Sequence, residues 1–179
     1  LGRENLDRWP EEIDDIGFWG RVAYFQDSDV DPYGEDVDLY DHVRYGSAGG
    51  RNVFERQSHH FMEGLEELGI EEGDTVLEVG ASTSKFSQLL NEEGYEAYSA
   101  DLERQGQMIA RENDRSEGQF QIEATELGFR EDAFDYVVAP RVMHLVDDPE
   151  MVQEIDRVAE DGFLFDYFRQ GSAKSVQKH

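Results

Sequence analysis

The sequence predicts an α/β domain in which a mostly parallel, doubly wound sheet carries helices on both faces, and three observations predict it. The run Thr75-Val76-Leu77-Glu78-Val79 is a short, nearly continuous set of β-formers, the pattern of a strand buried on both faces. It breaks at Gly80 into a turn of small and hydroxyl residues, Ala81-Ser82-Thr83-Ser84, from which a helical pattern starts. Downstream, strand-like and helix-like runs alternate, as they do where parallel strands are joined by helical crossovers.

The elements follow in order. Residues 1–19 set Trp9, Ile13, Ile16, Phe18 and Trp19 among acids and read as an arm packed on the body. Residues 20–50 place Tyr24, Phe25, Tyr33, Tyr40 and Tyr45 between aspartates and glycines. That stretch reads either as an acidic surface loop or as a lid whose aromatics line a pocket and whose glycines let it move. The chain thus divides into an N-terminal arm and lid, 1–50, and a main domain, 51–179. From Asn52 to Leu68 the residues Phe54, Phe61, Met62, Leu65 and Leu68 recur at helical spacing, and Gly69 stops them. Then come strand 75–79, helix 84–93 closed by Gly94, strand 96–100, helix 103–113, strand 119–123, strand 134–139, helix 149–159 and strand 163–168. The last helix has Asp148 as N-cap, Pro149 at its first position, and Met151, Val152, Ile155 and Val158 as a buried stripe.

Composition bounds the class. At 179 residues the length suits one domain, and Leu, Ile, Val and Phe make up about 24% of it, above the ~20% below which a highly charged chain is disordered. There is no cysteine, hence no disulfide and no thiolate metal site, which fits the cytoplasm. No run of eighteen apolar residues suggests a membrane span. The charge is unusual, 42 acids against 16 bases for a net −26. Acids this dense repel one another until salt screens them, so the composition resembles that of proteins from salt-loving cells. With no basic stripe, nucleic-acid binding is not expected.

A family resemblance rests on four stretches. From about Gly73 to Phe168 the chain resembles class I S-adenosylmethionine-dependent methyltransferases. Their first strand ends in an acid followed by a glycine-x-glycine-x-glycine turn, matched by Glu78-Val79-Gly80-Ala81-Ser82-Thr83-Ser84. An acid closes their second strand, matched by Asp101 before Leu102. An acid-Ala pair after the third strand is matched by Glu123-Ala124, and the fourth strand and next helix by Phe134-Asp135-Tyr136-Val137-Val138-Ala139 with Met143-His144-Leu145 and Glu154-Ile155-Asp156-Arg157-Val158. The resemblance implies a Rossmann-like sheet, S-adenosyl-L-methionine as cofactor, and methyl transfer to a small-molecule, sugar or lipid-precursor acceptor. The alternative is a non-catalytic relative that serves as a binding or scaffold protein. A nicotinamide-dependent oxidoreductase is disfavoured, because Ser82 and Lys85 stand where its turn needs glycines.

On that resemblance Gly80, Ala81, Ser82 and Ser84 cradle the cofactor, Glu78 holds its amino-acid end, Asp101 accepts from both ribose hydroxyls beside Leu102, and Glu123 with Ala124 meets the adenine. His144 is the candidate general base. Gly80 gives the backbone room to turn and approach the ligand, and helix-start N–H groups are free to meet it. Ser82 and Ser84 replace family glycines; where a positive φ is required, each costs about 1 kcal/mol or more. Pro140-Arg141-Val142 replaces the Pro-aromatic motif of amino-methylating enzymes, which favours a hydroxyl or carbon acceptor. His59 and His60 diverge on their helix, and no metal site is expected. The family continues past its fifth strand into a helix and an antiparallel pair, whereas eleven residues follow Phe168. The C-terminal part is therefore expected to be shortened or missing, leaving a bare sheet edge that invites pairing into a homodimer.

Overall fold

The computed structural model describes residues 37, 41–46, 48–143 and 149–166. A π-helical turn, His42–Gly46, leads into α1 (Ala48–Leu68), so the division drawn at 50/51 falls inside this helix. The order then runs β1 (Thr75–Val79), α2 (Lys85–Glu92), β2 (Glu96–Asp101), α3 (Arg104–Glu112), β3 (Gly118–Gln121), β4 (Phe134–Ala139), α4 (Pro149–Val158) and β5 (Ala159–Phe165). The strands form one sheet in the order β3-β2-β1-β4-β5, and every pairing is parallel. The chain begins at the middle strand, winds outward through β2 and β3, then returns past β1 to β4. Such a reversal leaves a crevice above the carboxyl ends of β1 and β4.

Alternation along each strand decides which helix covers which face. Leu77 and Val79 of β1 join Val137 and Ala139 of β4 beneath Met151, Ile155 and Val158 of α4. Val76, Tyr136 and Val138 point the other way, against Phe61 and Leu65 of α1 and Phe86 and Leu90 of α2. Leu65, Leu77, Leu90, Met151 and Ile155 are fully buried, and each contributes about 1.5–3 kcal/mol of transfer free energy. This two-sided burial is why β1 and β4 read as nearly continuous apolar runs.

The fifth strand departs from its sequence reading. It starts at Ala159, directly after α4, instead of at Phe163. Phe134 pairs with Ala159 but Tyr136 with Gly162, so one extra residue sits in β5 as a bulge. The polar Glu160-Asp161 pair looked like a turn because its residues are exposed in this bulge. The third strand ends at Gln121, so Glu123 lies in the loop beyond it.

Candidate functional site

A cavity of about 390 Å³ opens at the carboxyl ends of the central strands, within the range of small-molecule sites. Its floor is the turn after β1. Gly80 takes φ +72, and a β-carbon there would lie 2.5 Å from Cγ2 of Val142, so glycine is needed for the segment after β4 to close on the turn. The neighbour excluded by this geometry is protein, where the sequence suggested ligand. Ser82 (φ +47) and Ser84 (φ +57) are left-handed, the costly case for a residue bearing a β-carbon.

Most N–H groups of this turn are already engaged. Those of Gly80 and Ala81 both donate to the carbonyl of Ala100 (2.9 and 3.1 Å), that of Ser82 to Oδ2 of Asp101 (2.7 Å) and that of Ser84 to the carbonyl of Ala81 (2.7 Å). These turn amides are thus turned to protein partners, and of the helix-start N–H groups expected to be free that of Ser87 is taken by Glu78. Ala81 and Ser82 line the cavity, whereas Ser84 is fully buried away from it, and its hydroxyl has no hydrogen-bond partner and does not cap α2.

Glu78 closes the floor from below. Its Oε2 accepts from the backbone N–H (2.8 Å) and the hydroxyl (2.6 Å) of Ser87, so a strand acid supplies the cap that Ser84 does not. Burial pushes its carboxyl up to about 7, against the two Ser87 bonds and with help from the charge of Asp101.

The wall on the β2 and β3 side is acidic. Asp101 ends β2 and accepts from Ser82 N–H on one oxygen and Glu103 N–H (2.8 Å) on the other, which keeps one lone pair per oxygen available. Burial raises its pKa, and these two bonds oppose the rise. Leu102, 58% exposed, lies beside it on the cavity wall, with Glu103, Glu123 and Ala124 further along.

The opposite wall comes from residues that the sequence reading did not name as site residues. Phe54, Ser58 and Phe61 of α1 face the cavity, as do Pro140, Arg141 and Val142 after β4. Their signal was Ser58 inside an otherwise apolar helical stripe, and a cation directly after a buried strand. Tyr45 also lines the cavity, its ring 5.1 Å from Phe54 and 5.6 Å from the Arg44 guanidinium. Tyr24, Phe25, Tyr40, His144 and the Asp148 cap lie outside the described residues. His59 and His60 both reach Glu63, at 3.4 and 3.3 Å, on the exposed side of α1. Among the described residues no cluster of three or more metal-ligating side chains occurs, and no helix is long and apolar enough to cross a membrane.

A buried ion pair fixes the turn from behind. Arg115 pairs with Asp41 at 3.3 Å and donates to the carbonyl of Thr83 at 2.8 Å, while the Thr83 hydroxyl donates to Asp41. These contacts tie the segment before α1 to the floor of the cavity.

Solved structures share this fold. A chain of the Haloferax volcanii complex between the Trm112 methyltransferase activator and a methyltransferase is similar at a TM-score of 0.54 and 23% identity, over 64% of this chain and 53% of that one. The YcgJ protein from Bacillus subtilis gives 0.52 and 24%, over 62% and 50%. The cyclase SpnF gives 0.51 and 21%, over 57% and 41%. At these identities the likeness is one of fold, and the chain spans about half the length of the structures it matches. No curated protein matches it. The family model described as "Methyltransferase domain" matches residues 77–165, from the middle of β1 to the last residue of β5. That segment is similar to the methyltransferase-domain family in its sequence pattern and to these solved structures in its fold.

Proposed function

We propose that the chain binds S-adenosylmethionine in this cavity and transfers its methyl group to a small organic acceptor through a hydroxyl or carbon atom. The observation that carries the reading is the position of Asp101: at the end of β2, on the wall of a cavity floored by the β1 turn, with a lone pair on each oxygen directed to neither Ser82 nor Glu103. The residues fit the cofactor. Asp101 is suited to the ribose hydroxyls, Leu102 and Ala124 to the faces of the adenine, and the exposed Glu123 to its amino group. When bound, the cofactor supplies an electrophilic methyl on a sulfonium. The chain's part is to hold the acceptor in line and exclude water, which supplies much of the barrier reduction in such a displacement. Phe54, Phe61 and Tyr45 give the acceptor side an apolar lining. His144, two positions beyond Val142, is the candidate base for a hydroxyl acceptor.

Calorimetric titration with S-adenosylhomocysteine tests the reading. The native chain should bind, and Asp101→Asn should weaken binding by about tenfold or more, since a charge-assisted bond to a hydroxyl contributes roughly 1.5–3 kcal/mol. Absence of binding to the native chain across a range of salt would sink the proposal. It would favour a second reading, a binding or scaffold protein without methyl transfer, supported by the engagement of four turn amides within the protein.

A further inference from the structure

Four side chains of α1 border the cavity: Phe54, Gln57, Ser58 and Phe61. Two of them are aromatic, and the hydroxyl of Ser58 is sealed from solvent. Gln57 is half-buried, and its Nε2 donates to Oδ2 of Asp166 at 2.6 Å. Its Oε1 has no partner among the described residues and is not closed off as the Ser58 oxygen is. The accessible polar atom that α1 brings to the cavity is therefore a carbonyl oxygen.

The orientation of this amide is fixed from outside the cavity. An ionised carboxylate only accepts hydrogen bonds, so Asp166 takes the nitrogen end of Gln57 and leaves the oxygen end turned away from it. Asp166 is held in turn, because its Oδ1 accepts from the backbone N–H of Arg141 in the segment after β4. It lies just past the end of β5, so one carboxylate joins α1, the end of β4 and the end of β5. Flipping the amide would exchange a charge-assisted bond for a contact between two oxygens. Gln57 is thus locked as an acceptor, beside two aromatic rings.

We infer that Gln57 determines acceptor specificity: its Oε1 accepts from a neutral hydroxyl of the methyl acceptor, whose apolar body lies against Phe54 and Phe61. The inference names a substrate class for the cofactor reading above and rests on that reading for the word acceptor. A hydroxyl is favoured over a ketone or an ether, which bring only acceptors to an oxygen that has no proton to give. It is favoured over a carboxylate or a phosphate, because Glu78, Asp101, Glu103 and Glu123 line the same cavity and oppose a further negative charge. Gln57 orients the hydroxyl and takes no proton from it.

The test titrates the full chain, with and without saturating S-adenosylhomocysteine, with 1-phenylethanol and acetophenone. The two match in size, and only the alcohol donates. The native chain should bind the alcohol about five- to tenfold more tightly, the worth of one neutral hydrogen bond. Gln57→Leu should abolish that preference and leave affinity for S-adenosylhomocysteine unchanged; Gln57→Met serves the same purpose should the leucine variant fail to fold by circular dichroism. Asp166→Asn supplies a reading that a purely structural role would not move. With its oxygen kept on the Arg141 N–H, the new amide turns its nitrogen to Gln57, which must then rotate and present Nε2 instead of Oε1. Acetophenone should bind that variant at least as tightly as the alcohol. Equal affinity of the native chain for alcohol and ketone, or binding of neither, would overturn the inference. A preference that survives in Gln57→Leu would overturn it too, as would an equal loss of both ligands there. If the preference is present and depends on Gln57 while S-adenosylhomocysteine fails to bind the native chain, the cofactor reading falls and the acceptor assignment with it, whereas the hydroxyl site stands.

Discussion

Glu78 makes the stability of this protein fall as pH rises, in addition to what the burial of Asp101 and repulsion among the surface acids contribute. The carboxyl has an ordinary value of 4.5 and is raised to about 7 in the folded chain by burial. The folded state therefore holds this proton more tightly than the unfolded state does. Its stabilising effect is complete below pH 4.5 and is lost as pH rises through 7. Between pH 5 and pH 8 the loss amounts to about 2 to 3 kcal/mol, at about 1.4 kcal/mol for each tenfold difference in proton affinity between the two states. That is a substantial part of the ~5–15 kcal/mol by which domains are stable. Urea unfolding at fixed ionic strength, followed by circular dichroism, measures it; guanidinium chloride is unsuitable because it would screen the net charge of −26. Glu78→Gln keeps an acceptor for Ser87 and cannot ionise, so it should lose stability across this interval by about 2 to 3 kcal/mol less than the native chain. General repulsion among the surface acids affects both chains alike and cancels in the difference. Equal slopes for the two proteins would refute the reasoning and place Glu78 in contact with water.

Two further expectations concern the turn. Gly80→Ala should destabilise by about 2–4 kcal/mol, from a left-handed φ and a β-carbon 2.5 Å from Val142; Val142→Ala in the same chain should recover the packing share, read as a coupling in a double-mutant cycle of urea midpoints. Ser84→Gly should stabilise by about 1 kcal/mol, relieving a φ of +57 and deleting an unpartnered buried hydroxyl, less the entropy that glycine adds to the unfolded chain. Ser82→Gly should gain less, because its hydroxyl is not among the orphaned atoms, and a larger gain there in the same thermal scan would contradict this account.

The α/β architecture was legible because its cause is local. Strands buried on both faces, such as Thr75–Val79, must be apolar at nearly every position, and the helices between them must carry a stripe, as Met151, Ile155 and Val158 do. Asp101 and Gly80 were legible for the same reason, each marking where an element ends. Contacts between residues distant in the chain were not. Nothing near Ser58 in sequence says that it borders the same cavity as Asp101, and nothing near Asp41 points to Arg115, 74 positions on. The bulge in β5 was hidden because Ala159-Glu160-Asp161-Gly162 has the composition of a helix end and turn, and only its pairing with β4 shows otherwise.

The serines in the turn show how such distant contacts alter a judgement made from the motif. Two left-handed residues with β-carbons cost about 2 kcal/mol relative to glycine, which by itself argues for a distorted loop. Strained residues persist where their surroundings over-determine them, and here they do. Ser82 is held at its N–H by Asp101 and at its carbonyl by Gln107 (3.2 Å), and a β-carbon at Gly106 of α3 would lie 2.5 Å from that carbonyl. Thr83 is held by Asp41 and Arg115, and Ser84 N–H by the carbonyl of Ala81. At roughly 1 kcal/mol for each bond, these contacts offset the strain. The glycine pattern is one way to let a backbone take this path, and a polar brace from α3, from Arg115 beyond it and from the segment before α1 is another. Because one of the braces, Asp101, also lines the cavity, a ligand that competes for its oxygens would draw on the same bonds that keep the turn in shape. On the proposed reading, cofactor affinity and turn stability are therefore coupled through this single carboxylate, in a way that glycines at 82 and 84 would loosen.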